Sequence, residues 1–549
     1  MPSERVPSER VPSERVPSQP VTPANGPEYV NDVPYVRHYI GDLSPARLRL
    51  VAALNGVEPP PARDFDYCEL GCAHGDTLAA LAAAYPDARF VGVDLSAAHI
   101  TSAKRLARDG GLENIGFLER DFADLVHDDI GEFDFIVAYG LLSWISPEKR
   151  KALLDFAQAK LKPGGLLYVS YNAMPGWASV EPLRQLLLSP SAGAAGTSGS
   201  TLERAQRGVA FAQSMAAAGA EYFSKNPAAS EMLATMAKAG LPYVIHEYMH
   251  EHWSPMYFAR VAWEMAAADL HFVGVSPVFL NFRDTAIPES MDAVFASVTD
   301  RATFESLKDF AINEFFRRDV YVKGRVQRQS DATDAYLATT AWGTLSSALP
   351  ETRSVALHHR TVNLDTPIFG ALFAAVAVGA STFAALAERP ELASFGEARL
   401  RAALLKLVIS DTFLPMQEPA RAASAASAAS AASAPVADGL FRIPSVYNQM
   451  MLRRLSSDTP IVMTSTVAGT AFPISALDGL ALRVFTEVAA PRRVEWIRDF
   501  VGKNVLRLAV GERVIEDQAD QRAVILEAVE KLAAHRLAKL VELGVLAPA

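Results

Sequence analysis

Between Arg63 and Trp177, short apolar runs alternate with segments of helical periodicity, and this alternation constrains the fold more than any other feature of the chain. Strands that feed helices and then further strands of the same kind build a parallel sheet with crossover helices, an α/β arrangement. The predicted strands run from Phe65 to Leu70, Arg89 to Leu95, Ile115 to Phe122, Phe133 to Gly140 and Leu166 to Asn172. Helices are predicted between them, from Asp76 to Tyr85, Ala97 to Arg108 and Pro147 to Lys160. The last is stopped by the turn Lys162-Pro163-Gly164-Gly165.

A chain of 549 residues exceeds one hydrophobic core, so several domains are expected. Residues 1–28 repeat Pro, Ser, Glu and Arg without an apolar stretch and read as a disordered tail, neither a secretory signal nor an anchor. The predicted divisions are the α/β domain at 29–188, a Gly/Ser/Ala linker at 189–201 and a mainly helical middle domain at 202–328. A winged-helix-like unit follows at 329–420, then an Ala/Ser tether at 421–438 and an α+β domain at 439–549 that ends in an amphipathic helix. The uncharged run from Thr366 to Ala387 is long enough to span a bilayer. Gly379, Ser381 and Thr382 interrupt it, so two short buried helices are expected instead. With 52 Lys and Arg against 62 Asp and Glu, the net charge of -10 argues against nucleic acid as a partner and against attraction to anionic lipid. Cys68 and Cys72 are too few and too close for a disulfide framework or a four-ligand zinc site; a reducing, cytoplasmic compartment is expected.

The chemistry gathers at strand ends, where open α/β sheets bind ligands. Glu69-Leu70-Gly71-Cys72-Ala73-His74-Gly75 closes the first strand and opens a helix, and Gly71 and Gly75 let the backbone approach a ligand where a Cβ would clash. Alone, two glycines belong to many nucleotide-binding folds, dehydrogenases included. Asp94, ending the second strand, is placed to accept both hydrogen bonds of a ribose diol. Asp121 ends the third, placed to receive an adenine amino group with Phe122 packing on the ring.

Taken together, E-L-G-C-x-x-G, V-G-V-D-L-S, D-F, F-D-F-I-V-A-Y-G and K-P-G-G resemble a class I S-adenosylmethionine-dependent methyltransferase. The resemblance implies a Rossmann-like fold and S-adenosyl-L-methionine as cofactor, held by Tyr35, Glu69, Gly71, Cys72, Gly75, Asp94, Leu95, Asp121, Phe122 and Tyr139. In this class Glu69 would approach the methionyl amino group. Ala73-His74 departs from the class, which often has glycine at the first of these positions, and narrows the pocket. Asn31–Tyr35, Tyr139–Ser146, Ser170–Trp177, His246–Phe258 and Phe316–Gly324 further resemble bacterial methyltransferases with a regulatory domain, among them enzymes that methylate lysines of outer-membrane proteins. That resemblance covers Asn31 to Arg328 and implies a protein substrate and a homodimer.

Methyl transfer needs a positioned nucleophile with a free lone pair, and a lysine amine, with a reference pKa of about 10.4, must first lose a proton. Asn172 and Tyr171 at the end of the fifth strand are expected to face the reacting centre. Trp144, Tyr248 and Trp253 are expected to wall the acceptor, with His246 a general base. A structural role for the segment HEYMHEHW is the competing reading. Binding of a metal by His246, His250 and His252 is not expected, because thiolates and a distant ligand pair are lacking. A small-molecule acceptor, and a non-catalytic cofactor-binding role, remain open at the level of the sequence.

Overall fold

The computed structural model describes residues 37–192, 200–324, 328, 329, 331–377, 379–417, 440–454, 461–503, 509, 510 and 513–549. The tail at 1–28 and the tether at 421–438 lie outside them, as do residues 193–199 of the expected linker. Its flanks are helical.

Helix α1 (Pro45–Leu54) precedes the alternating region, which runs β1 (Asp66–Leu70), α2 (Asp76–Ala84), β2 (Arg89–Asp94), α3 (Ala97–Asp109), β3 (Ile115–Glu119), β4 (Phe133–Ala138), α4 (Pro147–Lys160) and β5 (Leu161–Asn172). These strands pair in parallel. Local chemistry sets the helix starts: the Ser96 hydroxyl accepts the His99 N–H to cap α3, and Ser146 caps α4 with Pro147 in its first turn. Both faces of the sheet are covered. Leu48, Leu81 and Ala103 from α1, α2 and α3 pack on one face; Leu153 and Phe156 from α4 pack on the other.

The sheet does not stop at β5. After it the chain leaves through α5 (Glu181–Ala192), α6 (Thr201–Ala217), α7 (Glu221–Lys225), α8 (Pro227–Ala239) and α9 (Leu241–Tyr248), which bury a core of their own around Leu183, Val209 and Ile245. It returns through α10 (Phe258–Ala267) to β6 (Leu270–Val275) and, further on, β7 (Phe316–Lys323). The seven strands lie in the order β3-β2-β1-β4-β5-β7-β6, with β7 antiparallel to both β5 and β6. The expected boundary at 189–201 therefore separates five strands from two of the same sheet, and the helical body is an insertion between them. The physical reason is the edge: β5 is buried throughout its second half, and its far side must be paired.

Residues 331–417 form helices around a three-stranded antiparallel sheet whose central strand, Ala341–Gly343, carries the fully buried Trp342; this unit packs on Leu50, Ala53 and Leu54 of α1. The run from Thr366 to Ala387 resolves into helices Pro367–Ala377 and Phe383–Ala387, joined by a short strand. The last block, 440–549, is α+β and packs on Ala79, Ala80 and Leu106 of α2 and α3. Among the described residues, no helix is long and apolar enough to cross a membrane.

Candidate active site

Three chain turns meet above the carboxyl ends of β1, β2 and β4. The turn after β1 is held from β2: the Gly71 and Cys72 N–H groups donate to the Val93 carbonyl at 2.8 and 3.1 Å, and the Ala73 N–H donates to Asp94 Oδ2 at 2.9 Å. Gly71, Ala73 and Gly75 all have positive φ, at 71°, 45° and 71°. A Cβ on Gly71 would come within 2.9 Å of the Leu141 side chain, so the turn closes against the β4 loop only because that residue is glycine. The other oxygen of Asp94 accepts the Ser96 N–H at 2.9 Å and lies 3.2 Å from His99 Nδ1. A carboxylate has room for about four donors, so Asp94 retains capacity for a ligand.

Glu69 lies below the same turn, 6% exposed, with Oε2 buried and lacking a hydrogen-bond partner. Burial, with Asp94 and Asp76 adding repulsion, raises its carboxyl to about 8. Such a group is stabilised by a cation brought to it. Across the site, the Asn172 main-chain carbonyl accepts the Met256 N–H and its own N–H donates to Ser143 Oγ, while its buried side-chain Nδ2 has no partner among the described residues. A cavity of about 620 Å³ joins these groups. Its far wall is α9, whose Tyr243, His246 and Glu247, with His250 just beyond, fall at the i, i+3, i+4, i+7 spacing of one helix face. The indole Nε1–H of Trp144 donates to the Glu247 carbonyl at 3.2 Å, tying that wall to the β4 loop. Burial raises the Glu247 carboxyl to about 7 and lowers His250, beside His246, to about 4.

Residues 68–165 match a family model described as a methyltransferase domain, and 241–323 match a predicted methyltransferase regulatory domain. The chain carries a methyltransferase domain. It is 35% identical over 300 residues to an uncharacterized protein of Synechocystis sp., covering 54% of this chain and 58% of that one. An uncharacterized protein of Rickettsia prowazekii is 30% identical over 296 residues, 52% of this chain and 51% of that one. The chain thus spans little more than half the length of these relatives. Among solved structures, PKMT2 from Rickettsia typhi in complex with AdoHcy shares the fold with a TM-score of 0.67 at 19% identity, over 91% of this chain and 99% of that one.

The structure gathers some of the expected site residues and not others. Glu69, Gly71, Cys72, Asp94, Tyr139, Trp144, Asn172 and His246 line the cavity. Gly75 stands behind it at the start of α2, where a Cβ would meet Phe117 and Ala103 within 2.9 Å. Tyr35 lies outside the described residues. Leu95 is 55% exposed and does not line the cavity. Asp121 and Phe122 also stand apart: β3 ends at Glu119, Asp121 accepts the Ala123 N–H and pairs with Lys149, and Phe122 is buried in the core under α4.

Tyr171 and Asn172 were expected side by side at the reacting centre, but neighbours on a strand face opposite sides. Tyr171 is fully buried on the other face, donating to Asp319 Oδ2 at 2.7 Å inside an ionic cluster with Arg317, Asp309 and Glu305. Tyr248 falls off the α9 stripe and into the insertion core, its hydroxyl 3.3 Å from the Met232 sulfur. Trp253 packs edge-on against Trp177, with the Arg184 guanidinium over its ring. The expected set lacked Tyr243, Trp177, His38 and Phe316, which do line the cavity. Helical spacing counted from His246 finds Tyr243; Phe316 comes from the strand pairing of β7 with β5, a long-range contact with no local signature. Among the described residues, no group of three or more His, Cys, Asp or Glu side chains is arranged to hold a metal ion.

Proposed function

We propose that the protein is an S-adenosyl-L-methionine-dependent methyltransferase acting on lysine side chains of a polypeptide. The observation that carries the reading is one cavity with two chemically distinct walls. On the sheet side, Glu69 with its unpartnered Oε2 suits the amino group of the cofactor's methionyl part, Gly71 lets the turn close against Leu141, and Asp94 suits the ribose hydroxyls. Bound there, the cofactor supplies a methyl group activated on a sulfonium. AdoHcy bound to PKMT2, which shares the fold, supports the same choice of ligand.

Facing it, Tyr139, Trp144, Trp177 and Tyr243 offer aromatic faces to a cation. Those walls suit an ammonium-bearing acceptor. The C-terminal units at 331–417 and 440–549 are read as winged-helix-like docking units for the polypeptide, supported by the helices packed on small antiparallel sheets in each. One observation favours a second reading, a small-molecule acceptor: about 620 Å³ accommodates a cofactor with a metabolite beside it.

The test is transfer of labelled methyl to an unfolded outer-membrane protein and, separately, to a small-metabolite extract, with Asp94→Ala as control. Label on lysine that falls at least about tenfold in Asp94→Ala supports the proposal, since that carboxylate's hydrogen bonds to the cofactor are lost. Label confined to small molecules replaces it with the second reading.

A further inference from the structure

We infer that Glu247 is the residue that receives the acceptor ammonium and takes its proton. The inference rests on the lysine reading above and assigns a role within it. Glu247 is half-buried in the cavity wall, on the face of α9 that carries Tyr243 and His246, with His250 just beyond the helix. Its main chain is fixed by the Trp144 indole, so the side chain starts from a held position between the β4 loop and the insertion. Among the described residues its carboxylate accepts no hydrogen bond.

The other carboxylates lining the cavity are differently engaged. Asp76 is paired with Arg37 at 2.7 Å, Asp94 accepts two backbone N–H groups, and Glu69 lies beneath the cofactor turn. Glu247 alone among these acids comes from the insertion wall. Its neighbours are Tyr139 from the end of β4 and Tyr243 and Tyr248 from its own helix, whose phenols are pushed up chiefly by burial, with the Glu247 charge adding to it. His246, His250 and, across the cavity, His38 also face this region, and Arg184 of α5 lies behind it, donating to the Tyr248 and His250 carbonyls. Among the described residues no Lys or Arg side chain lines the cavity, so an arriving ammonium suits this acid.

The proton step balances without another reactant. An N–H bond of the ammonium breaks, its electron pair stays on nitrogen as the nucleophilic lone pair, and the proton joins a Glu247 Oε. The resulting neutral acid later returns the proton to solvent. Burial that holds this carboxyl near 7 brings it closer to the amine it must deprotonate than an ordinary glutamate would be.

The experiment compares the full chain with Glu247→Gln, Glu247→Asp and His246→Gln, measuring kcat for methylation of the unfolded outer-membrane protein from pH 6 to 9.5, and cofactor Kd by calorimetry. Glu247→Gln is expected to lower kcat about 100-fold near pH 7.5, to leave cofactor Kd within about twofold, and to recover rate as pH rises toward the amine's own pKa. Glu247→Asp is expected to keep part of the rate. Wild-type kcat with an unchanged pH profile in Glu247→Gln overturns the inference while the lysine reading stands. So does a loss of cofactor affinity as large as the loss of rate, or a 100-fold loss confined to His246→Gln. A wild-type chain that binds the cofactor yet labels no lysine defeats the lysine reading first, and this inference with it.

Discussion

Glu69 occupies a position no carboxylate holds without a partner to come: it is buried beneath the turn after β1, one oxygen lacks a hydrogen bond, and two other acids stand nearby. Its carboxyl is raised from 4.5 to about 8, so between those values the folded chain holds a proton that the unfolded chain has released. Stability from this group is full below pH 4.5 and is lost as pH rises through about 8. Thermal unfolding of the ligand-free protein is therefore expected to show Tm falling from pH 6 to 9 more steeply in the wild type than in Glu69→Gln. A cofactor ammonium reverses the preference, so binding at pH 7 is expected to release a proton in the wild type and none in Glu69→Gln, read by calorimetry in buffers of different ionisation enthalpy. Equal proton release in the two proteins excludes Glu69 as the ammonium's partner. The sequence singled out this residue by its place before Gly71; only the fold shows that, among the described residues, no Lys or Arg lines the cavity beside it.

At the level of elements, α9 decides what the cavity can accept, and α9 is held in place by its neighbours α6 and α8. The contact between α5 and α6 sets that body: Gly208 on α6 lies so close to α5 that a Cβ there would be 2.2 Å from the Leu187 carbonyl oxygen. Gly208→Ala must push the two helices apart, at a cost of roughly 1–3 kcal/mol. The expected outcome is faster amide exchange across α5 to α9 with the strands of the sheet unchanged, and methyl transfer impaired more than cofactor affinity. Protection that falls equally in β1 and β4 would mean the insertion and the sheet open as one unit. The helical character of this region is legible in its periodicity, whereas its dependence on a glycine contact between helices far from the cavity is not.

At the level of the molecule, the sheet domain does not stand alone. Ala79 and Ala80 of α2 and Leu106 of α3 are covered by the block 440–549, with Tyr447 against Gly110, Tyr39 bonded to Thr470, and Arg454 paired with Asp109. A chain ending at Gln417 leaves that apolar helix face in water. It is expected to melt several degrees lower and to bind a hydrophobic dye that the full chain excludes; an unchanged Tm shows that the block contributes recognition without stability. Because Tyr39 lies beside His38 and Ile40 in the segment that borders the cavity, the same truncation is expected to weaken cofactor binding.

What the sequence determined by itself was local: five strands, the helices between them, the turn at Gly71 and the acids Glu69 and Asp94, all set by apolar period, glycine placement and cap residues within short windows. The tertiary structure decided what depends on pairing between distant segments. It carried β6 and β7 into the sheet, turned Tyr171 away from Asn172, drew Asp121 to Lys149, and laid the α9 stripe across from Glu69. Local windows encode which residues share one face of a strand or helix; the register of β7 against β5 and the packing of the insertion set which of those faces meet.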